Sequence, residues 1–529
     1  MNLYRIHRAM LLLLLTTPTG GIAADVLKHH LNDTRDGNYI DPALTQTAVQ
    51  TTHWDSSFNA PVAGPIYAQP VYVSNGPAGQ AAFIVVTEQD AVVALDATTG
   101  SPIWTSTLGN PVPLSTQLCG NIDPLGITGT PVIDPDARAL YLDALTISDD
   151  GISQRHLIFA LSLDDGSTLA GWPLDVSAVI TYSGMPFDSS VQNQRGALLL
   201  SAGILYVPYG GRTDCGNYNG WVVAVPVNNP GAATAWANPV RGGGVWAPGG
   251  LATDGSSIFA TTGNAFGETT WTGGEAVIRF GPGATFSGNP ADYFTPSNWQ
   301  ALDAVDLDLG GSGPVLVDVP GASPSQLVIA LGKNGVAYLL DRNNLGGVGT
   351  GDGTTGEGLF SLQAADDEII NAAAAYTAPS GTYVVFQTFG SGVGCPNGAG
   401  NLVALNITAS TPPTLSVAWC ASYGGYGSPI VTTTDGTSQP VVWIVGAGDG
   451  GDSRLHAFDG ETGQVLFAGG GPTDQMGLVR GYQTPIAVNG RIIVAGDAGL
   501  YAFTTESPSA QAPSSVRRPA PQHLEFAKR

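Results

Sequence analysis

The chain has few charged residues and very few basic ones. Only 12% of its 529 residues are charged, and 19 Lys and Arg stand against 42 Asp and Glu, which gives a formal net charge of −23. This balance argues against nucleic acid and anionic lipid as partners, because both bind basic surfaces. The apolar run near the N-terminus is too short to span a bilayer, and no later run is long enough. We therefore expect neither a nucleic-acid partner nor a membrane span.

Turn-forming residues, in contrast, are abundant. The 72 Gly and 37 Pro indicate a large all-β domain. Residues 94–104 read "ALDATTGSPIW": a short apolar strand ends at an Asp, turns on Thr-Gly and resumes at a Trp. Degraded copies of this unit recur along the chain, at 159–172, 222–236, 277–280, 337–347, 402–419, 455–467 and 500–503. Repeats of about 45–65 residues with four strands each are typical of β-propellers.

These repeats predict a single eight-bladed β-propeller of four-stranded antiparallel blades over residues 25–504, with seven blades as the alternative. The Thr-Gly supplies the tight reversal between the third and fourth strands, and the Trp fills the boundary between blades. The last unit lacks its fourth strand. We expect the segment around Trp54 to supply it and to close the ring.

The two ends and the cysteines point to export. Residues 1–24 combine Arg5 and Arg8 with the apolar run "AMLLLLL" and a small-residue cleavage site, which is typical of a secretory signal peptide. Residues 505–529 are rich in Pro, Ser and Ala and predict a disordered tail. Four cysteines in a periplasmic or secreted protein suggest two disulfides. Proximity favours Cys395–Cys420, which leaves Cys119–Cys215, although three pairings are possible.

The Ala-x-Asp-x-x-Thr-Gly unit with its Trp resembles the docking motif of the quinoprotein alcohol dehydrogenase superfamily, some of whose members bind pyrroloquinoline quinone (PQQ) and Ca²⁺ on the ring axis. Non-enzymatic propellers share the motif. Residues 241–266, "RGGGVWAPGGLATDGSSIFATTGNAF", resemble a segment that supplies a stacking Trp and a calcium-binding Asn in that family. The resemblance implies that Trp246 is the floor beneath the quinone and that Asn264 is a metal ligand. The alternative is that Trp246 fills a blade boundary and Asn264 caps a turn.

Two further segments carry the same resemblance. Residues 303–321, "DAVDLDLGGSGPVLVDVPG", resemble the stretch with the catalytic Asp, which implies that Asp306 is the general base and also a ligand of the metal. Asp303 and Asp308 are near alternatives, and a solvated acidic loop is the other interpretation. Residues 331–347, "LGKNGVAYLLDRNNLGG", resemble the segment whose basic residue polarises the quinone. This implies that role for Lys333, the alternative being an exposed hairpin lysine.

Arg195 opens an inner strand, and we expect it to point into the channel as a cofactor contact or as a polar lining residue. The chain departs from the family in three places. Two adjacent cysteines are replaced by a lone Cys119, and the loop expected to carry a calcium-binding Glu offers only Asp214, which we expect to bind the metal in place of the Glu. No Cys-x-x-Cys-His is present, so electrons from a reaction would leave through a separate acceptor.

The sequence therefore predicts an exported quinoprotein-like dehydrogenase that oxidises an alcohol or sugar hydroxyl with PQQ and Ca²⁺. The competing hypothesis is a non-catalytic propeller that binds a protein or polysaccharide of the cell envelope. The missing cysteine and Glu favour the second hypothesis, whereas Lys333 and the pair Trp246 and Asn264 favour the first.

Overall fold

The computed structural model describes residues 24–505, so the predicted signal peptide (apart from Ala24) and the predicted tail (apart from Thr505) lie outside the described residues. Eight small antiparallel sheets form a ring, which confirms the eight-bladed propeller. The strands of blades 1 to 4 are, in order, Val71–Val73, Ala82–Val86, Ala91–Asp96 and Pro102–Thr107; Val132–Asp134, Ala139–Ile147, Gln154–Ser162 and Leu174–Asp175; Leu199–Ser201, Ile204–Gly211, Trp221–Pro226 and Thr234–Ala237; and Ala252–Thr253, Ile258–Thr262, Ala276–Phe280 and Tyr293–Thr295.

Blades 5 to 8 continue the pattern. Their strands are Val315–Asp318, Gln326–Leu331, Val336–Asp341 and Phe360–Gln363; Ala374–Ala378, Gly381–Gln387, Leu402–Ile407 and Leu415–Ala421; Ile430–Thr433, Val441–Val445, Leu455–Asp459 and Val465–Ala468; and Ile486–Val488, Arg491–Gly496 and Gly499–Thr504. Additional short strands are Asn38–Ile40, His53–Trp54, Ala60–Pro61, Asn110–Pro111, Thr181–Tyr182, Met185–Pro186, Gln192–Asn193 and Gly347–Val348. The α-helices are Gln46–Val49, Val176–Val179 and Trp299–Asp303, and the 3₁₀ turns are Pro77–Gly79, Leu114–Thr116, Pro230–Ala232, Pro290–Asp292, Leu309–Gly311 and Pro472–Asp474.

The middle strands of the blades are apolar because both of their faces are covered by neighbouring blades. All five residues of Val441–Val445 are buried, for example. Separate hydrophobic clusters join each blade to the next, and one cluster contains residues of blades 7, 8 and 1. The hydrophobic effect therefore acts at every blade boundary and holds the ring closed.

The N-terminal part of the chain closes the ring as the sequence predicts. His53–Trp54 and Ala60–Pro61 both pair with Gly499–Thr504, so residues 53–61 supply the missing outer strand of the last blade. Joining this early segment to the last described strand in one sheet removes the exposed edges that an open ring would have.

The segment before this strand, residues 26–41, runs around the inside of the ring. Its backbone contacts blades 1, 2, 4, 5, 6 and 7 in chain order, through Val26 with Tyr72, Leu27 with Ile133, Asp33 with Thr253, Thr34 with Leu316, Asp36 with Ala375 and Gly37 with Val431. Arg35 is buried in the centre and donates to the carbonyl oxygens of Leu251, His29 and Leu198. The channel is thereby filled from within by the chain's own N-terminal segment.

The recurring corner has one geometry at the outer rim. Gly100 turns the chain between the third and fourth strands of blade 1 with a φ of +77°, a conformation that glycine adopts without strain. The following Trp104 reaches the next blade, where its indole N–H donates to the carbonyl of Leu163. The Trp thus joins neighbouring blades, as the sequence predicts. The described residues contain no helix long and apolar enough to cross a membrane.

Candidate functional site

A cavity of about 440 Å³ opens near the ring axis, lined by loops of blades 2, 3, 4, 5, 6 and 8. Six of the residues singled out in the sequence border it: Arg195, Asp214, Trp246, Asp306, Asp308 and Lys333. These residues lie far apart in the chain and meet because each stands just before an inner strand or in a hairpin turn on the same face of the ring. A mixed polar and aromatic cavity at such a point is the usual place for a ligand.

The aromatic floor of the cavity is Trp246. The guanidinium carbon of Arg195 lies 4.6 Å from the centre of the Trp246 ring, and its Nε donates to the Trp246 carbonyl at 3.1 Å. The same guanidinium lies 5.3 Å from the ring centre of Tyr482. Gly210 gives the indole its room, since a Cβ at this position would lie 2.9 Å from that of Trp246. Trp246 therefore belongs to the cavity and does not fill a blade boundary.

Lys333 lies beside this floor and is held by two carboxylates. Its Nζ lies 2.8 Å from Asp308 Oδ2, 3.2 Å from Asp306 Oδ1 and 5.3 Å from the ring centre of Trp246. Only 10% of the Lys333 side chain is exposed. Burial alone would lower the pKa of Lys333, but the two carboxylates raise it above its ordinary value. Lys333 is therefore a charged residue of the cavity wall and not an exposed hairpin lysine.

The three candidate bases occupy different environments. Asp306 borders the cavity with 55% of its side chain exposed, whereas Asp308 is 4% exposed beneath Lys333. Burial raises the pKa of Asp308 to about 6, with Lys333 opposing the shift. Asp303 lines a neighbouring cavity, where its Oδ1 accepts from the Ala265 N–H, and burial raises its pKa to about 6. Asp306 and Asp308 both line the main cavity, and of the two Asp306 is the one that is well exposed to a ligand there.

The expected metal ligands Asp214, Asn264 and Asp306 all border this neighbouring cavity, of about 510 Å³. One carboxylate oxygen of each Asp is already engaged. Asp214 Oδ1 accepts from the Tyr218 hydroxyl at 2.5 Å, and Asp306 faces Lys333. Asn264 uses its backbone N–H to hold Asp308 Oδ1 at 2.7 Å. Across residues 24–505, no three His, Cys, Asp or Glu side chains are grouped so that they could hold a metal ion. The three expected ligands leave too few free side-chain oxygens to fill by themselves the six to eight positions around Ca²⁺.

A disulfide joins two loops at the edge of the main cavity. Cys119 pairs with Cys215 and Cys395 with Cys420, as proximity in the sequence predicts. The Cys119 loop contributes Gln117 and Asn121 to the lining, and the Cys215 loop contributes Asp214. The disulfide therefore fixes part of the cavity wall by linking blade 3 to the loop that precedes blade 2.

Sequence reasoning missed some of the lining residues. Asp308, considered only as an alternative base, anchors Lys333 through its side chain and also accepts the Lys333 backbone N–H at 2.8 Å. Its position two residues after Asp306 was the available signal. Glu368 and Tyr482 also line the cavity. No pattern in the sequence marks them, because neither belongs to the repeated unit.

No family model matches the chain, and no curated protein matches it. Solved structures do. A quinohemoprotein alcohol dehydrogenase from Comamonas testosteroni matches with a TM-score of 0.60 at 16% identity, over 93% of this chain and 82% of that one. A quinohemoprotein alcohol dehydrogenase from Pseudomonas putida gives 0.62 at 13% identity, over 94% and 82%. A europium-containing methanol dehydrogenase gives 0.60 at 14% identity, over 91% and 98%. At these identities the likeness establishes the fold alone: the chain is an eight-bladed β-propeller, similar in fold to these alcohol dehydrogenases.

Proposed function

We propose that the protein is an exported dehydrogenase that oxidises an alcohol or sugar hydroxyl with pyrroloquinoline quinone. The observation that carries this proposal is the meeting of Trp246, Arg195, Lys333 and Asp306 at one cavity near the ring axis. A planar, anionic quinone needs an aromatic face and cations, and this cavity offers both. Arg195 has no carboxylate within ion-pair distance in the described part of the chain, which leaves its charge available to a ligand.

Each side chain has a chemical task under this proposal. Trp246 would stack on the cofactor and Arg195 would bind its carboxylates. When bound, the quinone supplies the two-electron acceptor for the alcohol. Lys333, fixed by Asp308, presents a permanent positive charge that stabilises negative charge developing on a nearby oxygen. Asp306, through Oδ2, would take the hydroxyl proton, since its Oδ1 faces Lys333. The electrons would then pass to a separate acceptor.

Calcium, which the sequence also suggests, has no role in these steps. Lys333 already supplies a cation to Asp306 and Asp308, and the remaining donors do not complete a calcium site. The proposed reaction therefore does not require calcium, and the experiment tests its effect.

A titration of the purified protein with PQQ tests the proposal, with and without Ca²⁺ and with a chelator. We expect quenching of tryptophan fluorescence and dye reduction with a panel of alcohols and sugars. Trp246→Ala should weaken quinone binding at least tenfold, because stacking contacts and buried area are lost. Trp172→Ala, which removes a Trp of blade 2 that packs on Tyr141 outside the cavity, is the matched control.

The competing function is a non-catalytic propeller that binds an envelope protein or polysaccharide. Its support is the engaged donor set and the replacement of two adjacent cysteines by a disulfide between distant loops. If neither quenching nor dye reduction is observed under any metal condition, the dehydrogenase is rejected and this second function is left.

A further inference from the structure

One carboxylate of the cavity wall forms no hydrogen bond or close ion pair with the described residues, although the charge of Lys333 acts on it from farther away. Glu368 lies in the loop before the inner strand of blade 6, half-buried, and lines the cavity together with Lys333, Ile370 and Tyr482. Within residues 24–505, no hydrogen bond or ion pair engages its side chain. The other acids of the cavity differ in this respect, since Lys333 holds Asp306 and Asp308, and the Tyr218 hydroxyl holds Asp214.

Charge is distributed unevenly within the cavity. Arg195 lies against the Trp246 ring and also borders a small cavity of about 20 Å³. Of the acids, Asp308 is buried beneath Lys333, whereas Asp306 is more than half exposed and Glu368 is half-buried, with the exposed Asp366 and Asp367 directly before it. An anionic cofactor is thus accommodated beside Arg195, whereas a group that binds near Asp306 and Glu368 meets negative charge.

We propose that the substrate is a small alcohol that carries an ammonium group, and that Glu368 is the residue that selects it. The inference rests on the proposed function. The ammonium N–H groups would donate to the free Glu368 carboxylate, while the hydroxyl faces Asp306 and Lys333. Such charge-assisted hydrogen bonds are shorter and stronger than neutral ones. A substrate with a carboxylate would be repelled by the same group.

Three substrates of similar size isolate the charge. 3-Aminopropan-1-ol carries an ammonium group, butan-1-ol has a methyl group in its place, and 3-hydroxypropanoate carries a carboxylate. At pH 8 the full-length mature protein, with and without PQQ, is titrated with each by calorimetry, and kcat/KM is measured by dye reduction. We expect the amino alcohol to bind at least about tenfold more tightly than butan-1-ol, because a hydrogen bond between two charged groups is stronger than the contact that a methyl group makes. The hydroxy acid should bind most weakly.

Two variants assign the preference to Glu368. Glu368→Gln keeps the shape and removes the charge, so the ratio between amino alcohol and butan-1-ol should fall toward one. Asp367→Asn removes the same charge one residue away. Asp367 does not line the cavity, and Asn keeps the oxygen that accepts the Glu368 N–H at 2.8 Å, so the ratio should persist. Melting temperatures of both variants check that they are folded.

The outcomes separate the two proposals. Quinone binding without preference for the amino alcohol, or a preference that survives Glu368→Gln, overturns the selectivity inference and leaves the dehydrogenase intact. Absence of quinone binding overturns the dehydrogenase. In that case the calorimetric comparison without PQQ still reports whether the cavity prefers the cation through Glu368.

Discussion

The outer rim of the ring, where the third strand of each blade turns into the fourth, is regular, whereas the inner wall, formed by the residues that line the main cavity, is not. At the rim one arrangement recurs. The Trp104 indole packs on Gly166 of the next blade and donates to Leu163, and the Trp419 indole packs on Gly463 and donates to Gly460 at 2.8 Å. At the inner wall nothing recurs: Lys333 occurs in blade 5 alone and Trp246 before blade 4 alone. The repeated residues therefore indicate the fold, whereas the side chains that are not repeated indicate the site.

Charged side chains are also exposed to different degrees in the two regions. The rim carries exposed acids and ion pairs such as Arg138 with Asp164 at 2.5 Å, with 31% and 49% of the side chains exposed. The wall holds charges away from solvent, as in Lys333 with Asp308. Water screens the first kind of pair and not the second, so equal substitutions should have unequal effects.

The largest expected effect is at the wall. Lys333→Met removes the cation and leaves the buried Asp308 carboxylate unpaired, which should lower the free energy of unfolding by about 3–5 kcal/mol at neutral pH. Urea titration followed by circular dichroism measures it. Arg138→Met breaks the rim pair, and its effect should be too small to resolve. Equal losses from the two variants would contradict the difference drawn between the regions.

The sequence predicts the rim better than the cavity wall. From the repeated unit and its Trp it predicts eight blades, the closing strand near Trp54 and the role of the Trp in joining blades, because neighbouring blades pack in the same way at each boundary. Site residues inferred from the resemblance, such as Trp246 and Lys333, meet at one cavity, although their roles stay predictions. The path of residues 26–41 around the ring and the free carboxylate of Glu368 were not predictable. Both depend on contacts between distant segments that no local pattern encodes.

The second prediction is that stability changes with pH in opposite directions for one buried acid near the cavity and one acid at the rim. Glu88 lies in a turn of blade 1 near the cavity wall, fully buried, with Oε2 accepting the Gly126 N–H at 2.7 Å. Burial raises its pKa to about 7. The native state therefore binds this proton more tightly than the unfolded chain, and stability falls as pH rises from about 4.5 toward 7. Glu88→Gln should reduce this slope and exceed the wild type in stability by up to about 3 kcal/mol at pH 8, while the nearby Asp90, whose pKa burial raises to about 9, keeps part of the slope.

The rim acid Asp96 provides the contrast to Glu88. Burial tends to raise the pKa of Asp96, but hydrogen bonds from Thr99 and Thr98 lower it overall. It therefore contributes stability above the unfolded pKa of about 4, and this contribution is lost as pH falls. Asp96→Asn should be slightly destabilising at pH 7 and neutral at low pH. Urea titrations at pH 4, 6 and 8 compare the variants, and parallel pH profiles for Glu88→Gln and the wild type would refute the assignment to Glu88.

A further pair of substitutions tests the packing at the rim itself. Gly463 and Gly151 both have a φ of +72°, so Ala pays the same cost of a left-handed backbone at either position, about 1–2 kcal/mol. A Cβ at Gly463 would lie 2.6 Å from the Trp419 ring, whereas one at Gly151 meets no atom within 4 Å. Gly463→Ala should therefore cost about 1–3 kcal/mol more than Gly151→Ala, because the Trp must shift. Equal costs in thermal unfolding would mean that the glycine serves only the turn. The contact with Trp would then contribute nothing to joining the blades, and the repeat would describe local geometry rather than the packing of the ring.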